Sequence, residues 1–248
     1  MWLAGATVLP MAIWRKRSRD EAERNAMDFP QRLIDGYGAF LSERLPREQS
    51  RFRTLAETGQ RPEIMVIGCS DSRVPPEVIF DARPGELFVV RNVANIVPPF
   101  APDEGAHGVS AALEFGVGAL RVQHIVVLGH AQCGGVKAFA ENAEPLSPGD
   151  FIGNWMKLMA PAAQKVPRGD LSAADYLTRL EQANIANSLD NLLTFPGLAK
   201  LIERGTVQTH GAYFGVATGE LSVLDKASGE FRRLAAEEHA RAFQAPRF

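Results

Sequence analysis

The sequence predicts an α/β protein with a mostly parallel central β-sheet flanked by helices, an N-terminal helical arm and a C-terminal strand and helix extension. Three observations carry that expectation. Short apolar runs at residues 64–68, 87–90 and 124–128 are uninterrupted rather than alternating, which is the pattern of strands buried on both faces. Segments with apolar residues at helical spacing lie between and after these runs, and strand–helix–strand alternation puts helices on the faces of a parallel sheet. The length of 248 residues, with 46% hydrophobic and 23% charged side chains, supports a full core without disulfide staples and excludes wholesale disorder, collagen and coiled coil. Lys and Arg number 27 against 29 Asp and Glu, so no overall basic field exists for phosphate backbones, and nucleic acid is not expected as a partner.

The elements follow in order. Residues 1–14, MWLAGATVLPMAIW, are apolar and are followed by Arg15, Lys16, Arg17 and Arg19. A membrane span needs about 20 apolar residues, Pro10 interrupts this run, and a secretory signal carries its basic residues ahead of the apolar stretch. Residues 1–26 are therefore read as a dispensable or disordered extension; membrane-surface contact through residues 1–19 is the disfavoured alternative. Residues 27–248 are read as one domain. Asp28 can cap a helix, Pro30 suits its first turn, and Phe29, Leu33, Tyr37, Phe40 and Leu41 recur at helical spacing. Residues 51–57 continue the helical region, and Pro62 precedes the first strand.

Between the second and third strands, residues 105–120 place Val109, Leu113, Val117 and Leu120 on one helical face. Residues 173–193 form a long helix whose leucine-rich stripe reads as core, ended by Phe195-Pro196-Gly197. Two further strands are expected at 206–217 and 220–224, joined through Thr218-Gly219, then a turn at 226–230 and a helical tail at 234–243. No internal repeat is present.

Cys69 and Cys133 are the only cysteines. A buried packing cysteine is the ordinary reading, and so sparse a count suits a reducing compartment, here the cytoplasm. Position changes that reading, because ligands of parallel sheets collect beyond the carboxyl ends of the strands. Cys69 follows the strand IMVIG and opens C-S-D-S-R, while His130 and Cys133 follow HIVVLG within G-H-A-Q-C-G-G. An H-x-x-C pair on a tight turn can place two ligands on one ion, and a neighbouring strand can supply the third. Gly134-Gly135 lets the backbone approach a bound group, and residues 136–140 can begin a helix whose positive end faces it. Two cysteines are too few for a closed site of four thiolates, or of three thiolates and one imidazole, in one subunit. Two thiolates and one imidazole leave the fourth position open, as catalytic zinc requires.

The stretches CSDSRVPPEVIF, GELFVVRNVANIV and HIVVLGHAQCGGVKAF resemble, in order and spacing, the three signature stretches of the β-class carbonic anhydrases, in particular their plant-like branch. The resemblance covers most of the chain from about Met27. It implies that Cys69, His130 and Cys133 hold one zinc ion per subunit, and that the reaction is reversible hydration of carbon dioxide to bicarbonate and a proton by way of zinc-bound hydroxide. It makes Asp71 and Arg73 a dyad in which Arg73 holds Asp71 off the zinc, leaving the carboxylate to orient the nucleophile. Matching positions to the plant-like branch places Gln60, Phe88, Val93 and Phe115, with the Gly134 amide, around the substrate. Phe115 stands where that branch usually has tyrosine, so a hydroxyl is missing. Val66 stands where a second branch carries the tryptophan of a bicarbonate inhibition site, which argues against that site. A homodimer or higher homo-oligomer is implied, with its interface bordering the active site.

Beside these implications the residues keep plainer readings: a surface ion pair for Asp71 and Arg73, core packing for Phe88 and Phe115, an exposed loop amide for Gln60. His107, His124, His210 and His239 lie outside the metal motif and read as structural or exposed. Two thiolates cancel the charge of the ion, so its water should be less acidic than at a site of three imidazoles, and activity should rise toward alkaline pH. Three alternatives use some of the same residues. A hydrolase of carbonyl sulfide or carbon disulfide would need the same ligands; a thiol redox sensor would use the cysteines but leave His130, Asp71 and Arg73 without a joint role; an inactive zinc-binding module would lack turnover.

Overall fold

Four parallel strands and two antiparallel ones form a single sheet in the computed structural model, which describes residues 29–234. The extension at 1–26, the membrane-contact alternative at 1–19, the capping residue Asp28, His239 and most of the expected C-terminal helix lie outside the described residues. Contacts divide the chain between Arg53 and Thr54 into two units.

In the first unit, Pro30 stands immediately ahead of α1 (Gln31–Ala39), where its fixed φ is compatible with helix entry. A π-helical turn, Phe40–Arg44, continues into α2 (Leu45–Thr58), whose residues from Thr54 onward belong to the second unit. Tyr37 and Phe52 lie against Phe40, with ring centroids 6.2 and 5.8 Å away. The apolar stripe read from the sequence is present, but Phe29, Leu33, Tyr37 and Leu41 remain exposed.

The second unit builds the sheet. Its elements are β1 (Ile64–Cys69), α3 (Pro76–Ile79), β2 (Leu87–Asn92), α4 (Gly108–Glu114), β3 (His124–His130), α5 (Gly134–Ala140), α6 (Phe151–Met156), α7 (Ala160–Lys165), α8 (Ala173–Leu192), α9 (Pro196–Glu203), β4 (Gln208–Phe214), β5 (Leu221–Asp225) and β6 (Glu230–Arg233). The spatial order is β2-β1-β3-β4-β5-β6; the first four strands are parallel, and β5 and β6 add antiparallel at one edge. Met65, Val66, Ile67, Ile125 and Val127 are fully buried, as uninterrupted apolar runs require. Parallel register sets Gly68 beside Leu128, so Cys69 ends its strand one residue short of the level of His130. The register thus brings the two expected ligand loops together.

Helix α8 begins at Ser172, whose side chain accepts the Asp175 amide while donating to the Asp175 carboxylate, a cap that satisfies two groups at once. It packs so closely on β3 that a Cβ at Gly129 would come within 2.6 Å of Ile185 Cδ1. Helices α6, α7 and α9 were not anticipated. Pro196, read as part of the stop after α8, is also the first residue of α9, where its missing N–H costs nothing. The helix expected over 105–120 is shorter, and its second half is a π-helical turn, Phe115–Leu120. Strand β6 lies where only a turn was expected to end, because Glu-Phe-Arg-Arg offers one apolar residue, Phe231, to the core. Among the described residues, no helix is long and apolar enough to cross a membrane.

Candidate metal centre

Cys69 ends β1, His130 ends β3, and Cys133 follows one turn later, immediately ahead of α5. All three are buried, and one ligand atom from each lies within 4.8 Å of the other two. The two sulfurs are 3.9 Å apart. The Nδ1 atom of His130 lies 2.9 Å from the Ala131 carbonyl. A carbonyl can only accept, so this contact assigns the proton to Nδ1 and leaves a lone pair on Nε2. That Nε2 is buried and has no hydrogen-bond partner in the protein. Two sulfurs on a tetrahedral zinc ion, each at about 2.3 Å, would be about 3.8 Å apart, so the donor set, its spacing and the unpaired nitrogen all fit zinc.

The residues around the cluster fix it from several directions. Asp71 Oδ1 accepts the Arg73 backbone N–H at 3.0 Å and Nε at 2.9 Å, and Oδ2 accepts Nη2 at 2.7 Å. The Arg73 Nη2 also reaches the Gln132 carbonyl at 3.0 Å, tying the loop after β1 to the loop after β3. Asp71 Oδ2 lies 3.9 Å from His130 Nε2. From β2, Arg91 donates to the carbonyls of Cys69 at 2.8 Å and Asp71 at 2.6 Å. The Ala94 N–H points at Cys69 Sγ, 3.4 Å away. Glu181 Oε1 accepts the Cys133 N–H at 2.8 Å, and its Oε2 accepts the Tyr213 hydroxyl at 2.7 Å.

These contacts set the proton affinities. The Arg73 guanidinium holds the Asp71 carboxyl well below the usual carboxylate range, with His130 adding in the same direction. The Cys133 sulfur beside it, and then the His130 imidazole and the Ala94 N–H, hold the Cys69 thiol low despite its burial, while facing Cys69 in a buried site pushes Cys133 up. Burial alone would lower His130; the Cys69 sulfur, the Ala131 carbonyl and Asp71 outweigh it and raise the imidazole. Burial raises Glu181 against the opposing hydrogen bonds from Tyr213 and Cys133.

The family model described as carbonic anhydrase matches residues 64–221. A carbonic anhydrase of Pseudomonas aeruginosa is 38% identical over 211 residues, covering 85% of this chain and 94% of its own. Beta carbonic anhydrase 3 of Arabidopsis thaliana is 34% identical over 212 residues, covering 83% of this chain and 81% of its own. The chain belongs to the β-carbonic anhydrases. Its fold agrees: the structure of the β-carbonic anhydrase CcaA superposes with a TM-score of 0.78 at 31% identity, covering 83% of this chain and 92% of the other.

Against that family pattern, Val93 and Gly134 stand at the cluster. Val93 precedes the residue whose N–H meets Cys69, and its carbonyl accepts the Trp155 Nε1–H at 2.8 Å. A Cβ at Gly134 would meet nothing within 4 Å, whereas one at Gly135 would come 2.7 Å from Val93 Cγ1. The tight approach anticipated for the glycine pair therefore belongs to Gly135, and Gly134 faces open space beside Cys133. Phe88 and Phe115 pair with each other, centroids 6.0 Å apart, but Phe88 sits opposite Met65. That is four residues before Asn92, or about 13 Å along the strand from the ligand end. Gln60 is exposed in the loop ahead of β1. Within one chain these three do not join the cluster.

Sequence reasoning missed Arg91, Ala94 and Glu181. The first two lie within the quoted stretch GELFVVRNVANIV but carry no ligand chemistry of their own. Glu181 did leave a signal: it is four residues from both Leu177 and Ile185, so a carboxyl group falls on the face read as core and needs partners there.

Proposed function

We infer that this β-carbonic anhydrase hydrates carbon dioxide reversibly to bicarbonate and a proton, at a zinc ion held by Cys69 Sγ, His130 Nε2 and Cys133 Sγ. The observation that carries the reading is the convergence of one ligand atom each from Cys69, His130 and Cys133 within 4.8 Å, with the His130 Nε2 buried and unpaired. A zinc ion held there would supply a Lewis acid that lowers the pKa of water, so that hydroxide is available to attack a weak electrophile; the lowering would be smaller than with three neutral imidazoles, because two thiolates cancel the charge of the ion.

The chain's own residues do the rest. Arg73 grips both oxygens of Asp71, which prevents the carboxylate from swinging toward the ligand cluster and leaves Oδ2 an unused lone pair beside it. Held well below the usual range, Asp71 stays ionised in neutral solution and accepts a hydrogen bond from the attacking water without keeping its proton. That hydrogen bond turns the oxygen lone pair toward carbon, and the proton passes on to solvent. Carbon dioxide has no net charge or dipole, so the apolar side chain of Val93 and the open face of Gly134 suit its approach.

Gln60, Phe88 and Phe115 are proposed to complete the pocket from a second copy, in a homodimer or larger homo-oligomer whose interface borders the site. Their separation from the cluster within one chain supports this, as does the half-exposure of Phe115. The Arabidopsis relative supports the plant-like branch. Two buried free thiols support a cytoplasmic setting. Carbonyl sulfide and carbon disulfide would meet the same ligands, but membership of the carbonic anhydrase family favours carbon dioxide.

Metal analysis tests the reading. The purified protein should carry about one zinc ion per chain, and Cys133→Ser should lose both zinc and carbon dioxide hydration. Metal-free wild-type protein with a reversible Cys69–Cys133 disulfide would replace this reading with the thiol sensor.

A further inference from the structure

Helix α8 turns a polar stripe toward the metal centre. Glu181, Asn184, Ser188 and Asn191 follow one another at spacings of three, four and three, which is one face of a helix. Glu181, Asn184 and Ser188 are buried. Buried polar groups are costly unless bonded, and each of these bonds the backbone of a loop beside the ligands through at least one side-chain atom, although Asn184 Oδ1 has no partner. Glu181 accepts the Cys133 N–H. Asn184 Nδ2 donates to the Ala94 carbonyl at 2.7 Å. Ser188 Oγ donates to the Asn95 carbonyl at 3.3 Å and accepts the Val97 N–H at 3.1 Å. Asn191 Nδ2 donates to the Val97 carbonyl at 2.7 Å.

The loop held this way is strained. Ala94 and Asn95 have φ of 65° and 48°, consecutive left-handed conformations with no glycine to accommodate them. Such conformations persist only where the surroundings over-determine them. The conformation has a local result: the Ala94 N–H points at the Cys69 sulfur. One helix face therefore fixes a backbone donor beside one thiolate ligand and the backbone amide of the other. Neither Asn184 nor Glu181 is among the three ligand side chains.

We propose that α8 is the positioning element of the zinc centre, Asn184 locking the left-handed turn that aims the Ala94 N–H at Cys69, and Glu181 locking the Cys133 amide. The proposal rests on the zinc reading of Cys69, His130 and Cys133. Groups that orient metal ligands typically change metal affinity by about ten- to a hundredfold when removed, so the effect should be visible in metal exchange whatever happens to turnover.

The test uses full-length, zinc-loaded wild type and the variants Asn184→Ala, Glu181→Leu, Glu181→Gln and Asn191→Ala. Three quantities are read: the rate of zinc loss to excess chelator, the thiolate-to-cobalt charge-transfer absorption of the cobalt-substituted protein, and the melting temperature. Asn184→Ala and Glu181→Leu should release zinc about tenfold faster or more and shift the charge-transfer band. Glu181→Gln, whose amide oxygen still accepts the Cys133 N–H, should stay near wild type. Asn191→Ala, two turns further along, should lower the melting temperature without changing zinc loss. If Asn184→Ala fails to fold, Asn184→Asp keeps the volume, removes the donor and decides the same question. Zinc loss from the Asn184 and Glu181→Leu variants no faster than from Asn191→Ala, with an unshifted cobalt band, would overturn the proposal alone. Wild type that holds no zinc at all would overturn the zinc reading beneath it.

Discussion

His130 has one nitrogen bonded to a carbonyl and the other buried without a partner, and that asymmetry is the smallest feature from which the chemistry follows. The three candidate ligands were legible in the sequence because Cys69 and His130 end neighbouring parallel strands, whose register brings them together, and Cys133 follows His130 by three residues. The Asp71–Arg73 pair was legible as a pair, but not its geometry: Arg73 also bonds the Gln132 carbonyl, so it couples both ligand loops. Its guanidinium is exposed, and exposed ion pairs contribute little to stability, so its value lies in holding Asp71. Arg73→Ala should keep its zinc and nearly its full melting temperature, yet lose at least about tenfold in carbon dioxide hydration, because a carboxylate freed from its clamp no longer orients the nucleophile. A zinc-loaded Arg73→Ala protein with wild-type turnover would remove the dyad from the mechanism.

Among the elements, the strands were readable because runs such as Met65-Val66-Ile67 tolerate no polar residue when both faces are covered. Helices α6, α7 and α9 were not, since six to eight residues span barely two turns and show little periodicity. In α8 the apolar stripe was read and the polar stripe beside it was not, because its partners are backbone groups with no sequence signature. The sheet also carries a titratable contact away from the site. His124 Nδ1 on β3 and His210 Nε2 on β4 lie 3.2 Å apart. Burial, then the His124 and Lys226 charges, hold His210 below its usual pKa. A histidine depressed by folding adds stability that is full above about pH 6.5 and lost as pH falls through its lowered value. Urea midpoints at pH 7.5 and pH 5.5 should therefore fall more for wild type than for His210→Gln; equal falls would show that His210 is not a source of the acid sensitivity.

At the scale of the whole molecule, the fold class and the family were both readable from three short stretches, and the comparisons with known relatives agree with them. The residues matched to a substrate pocket lie apart within one chain. Matching positions assigned Gln60, Phe88, Val93, Phe115 and Gly134 to one pocket, yet a linear match cannot say whether a pocket is built from one chain or two. Val93 adjoins Ala94, whose N–H meets Cys69, and Gly134 adjoins Cys133, while the register of β2 keeps Phe88 about 13 Å from the ligand end of the strand.

Zinc-dependent hydration at the Cys69, His130 and Cys133 centre is tested by stopped-flow measurement of carbon dioxide hydration by zinc-loaded protein between pH 6 and pH 9. Catalysis should rise toward alkaline pH, because two thiolates would make the water at the centre less acidic than three imidazoles would. Fully zinc-loaded protein that leaves the hydration rate at its uncatalysed value across that range would contradict it.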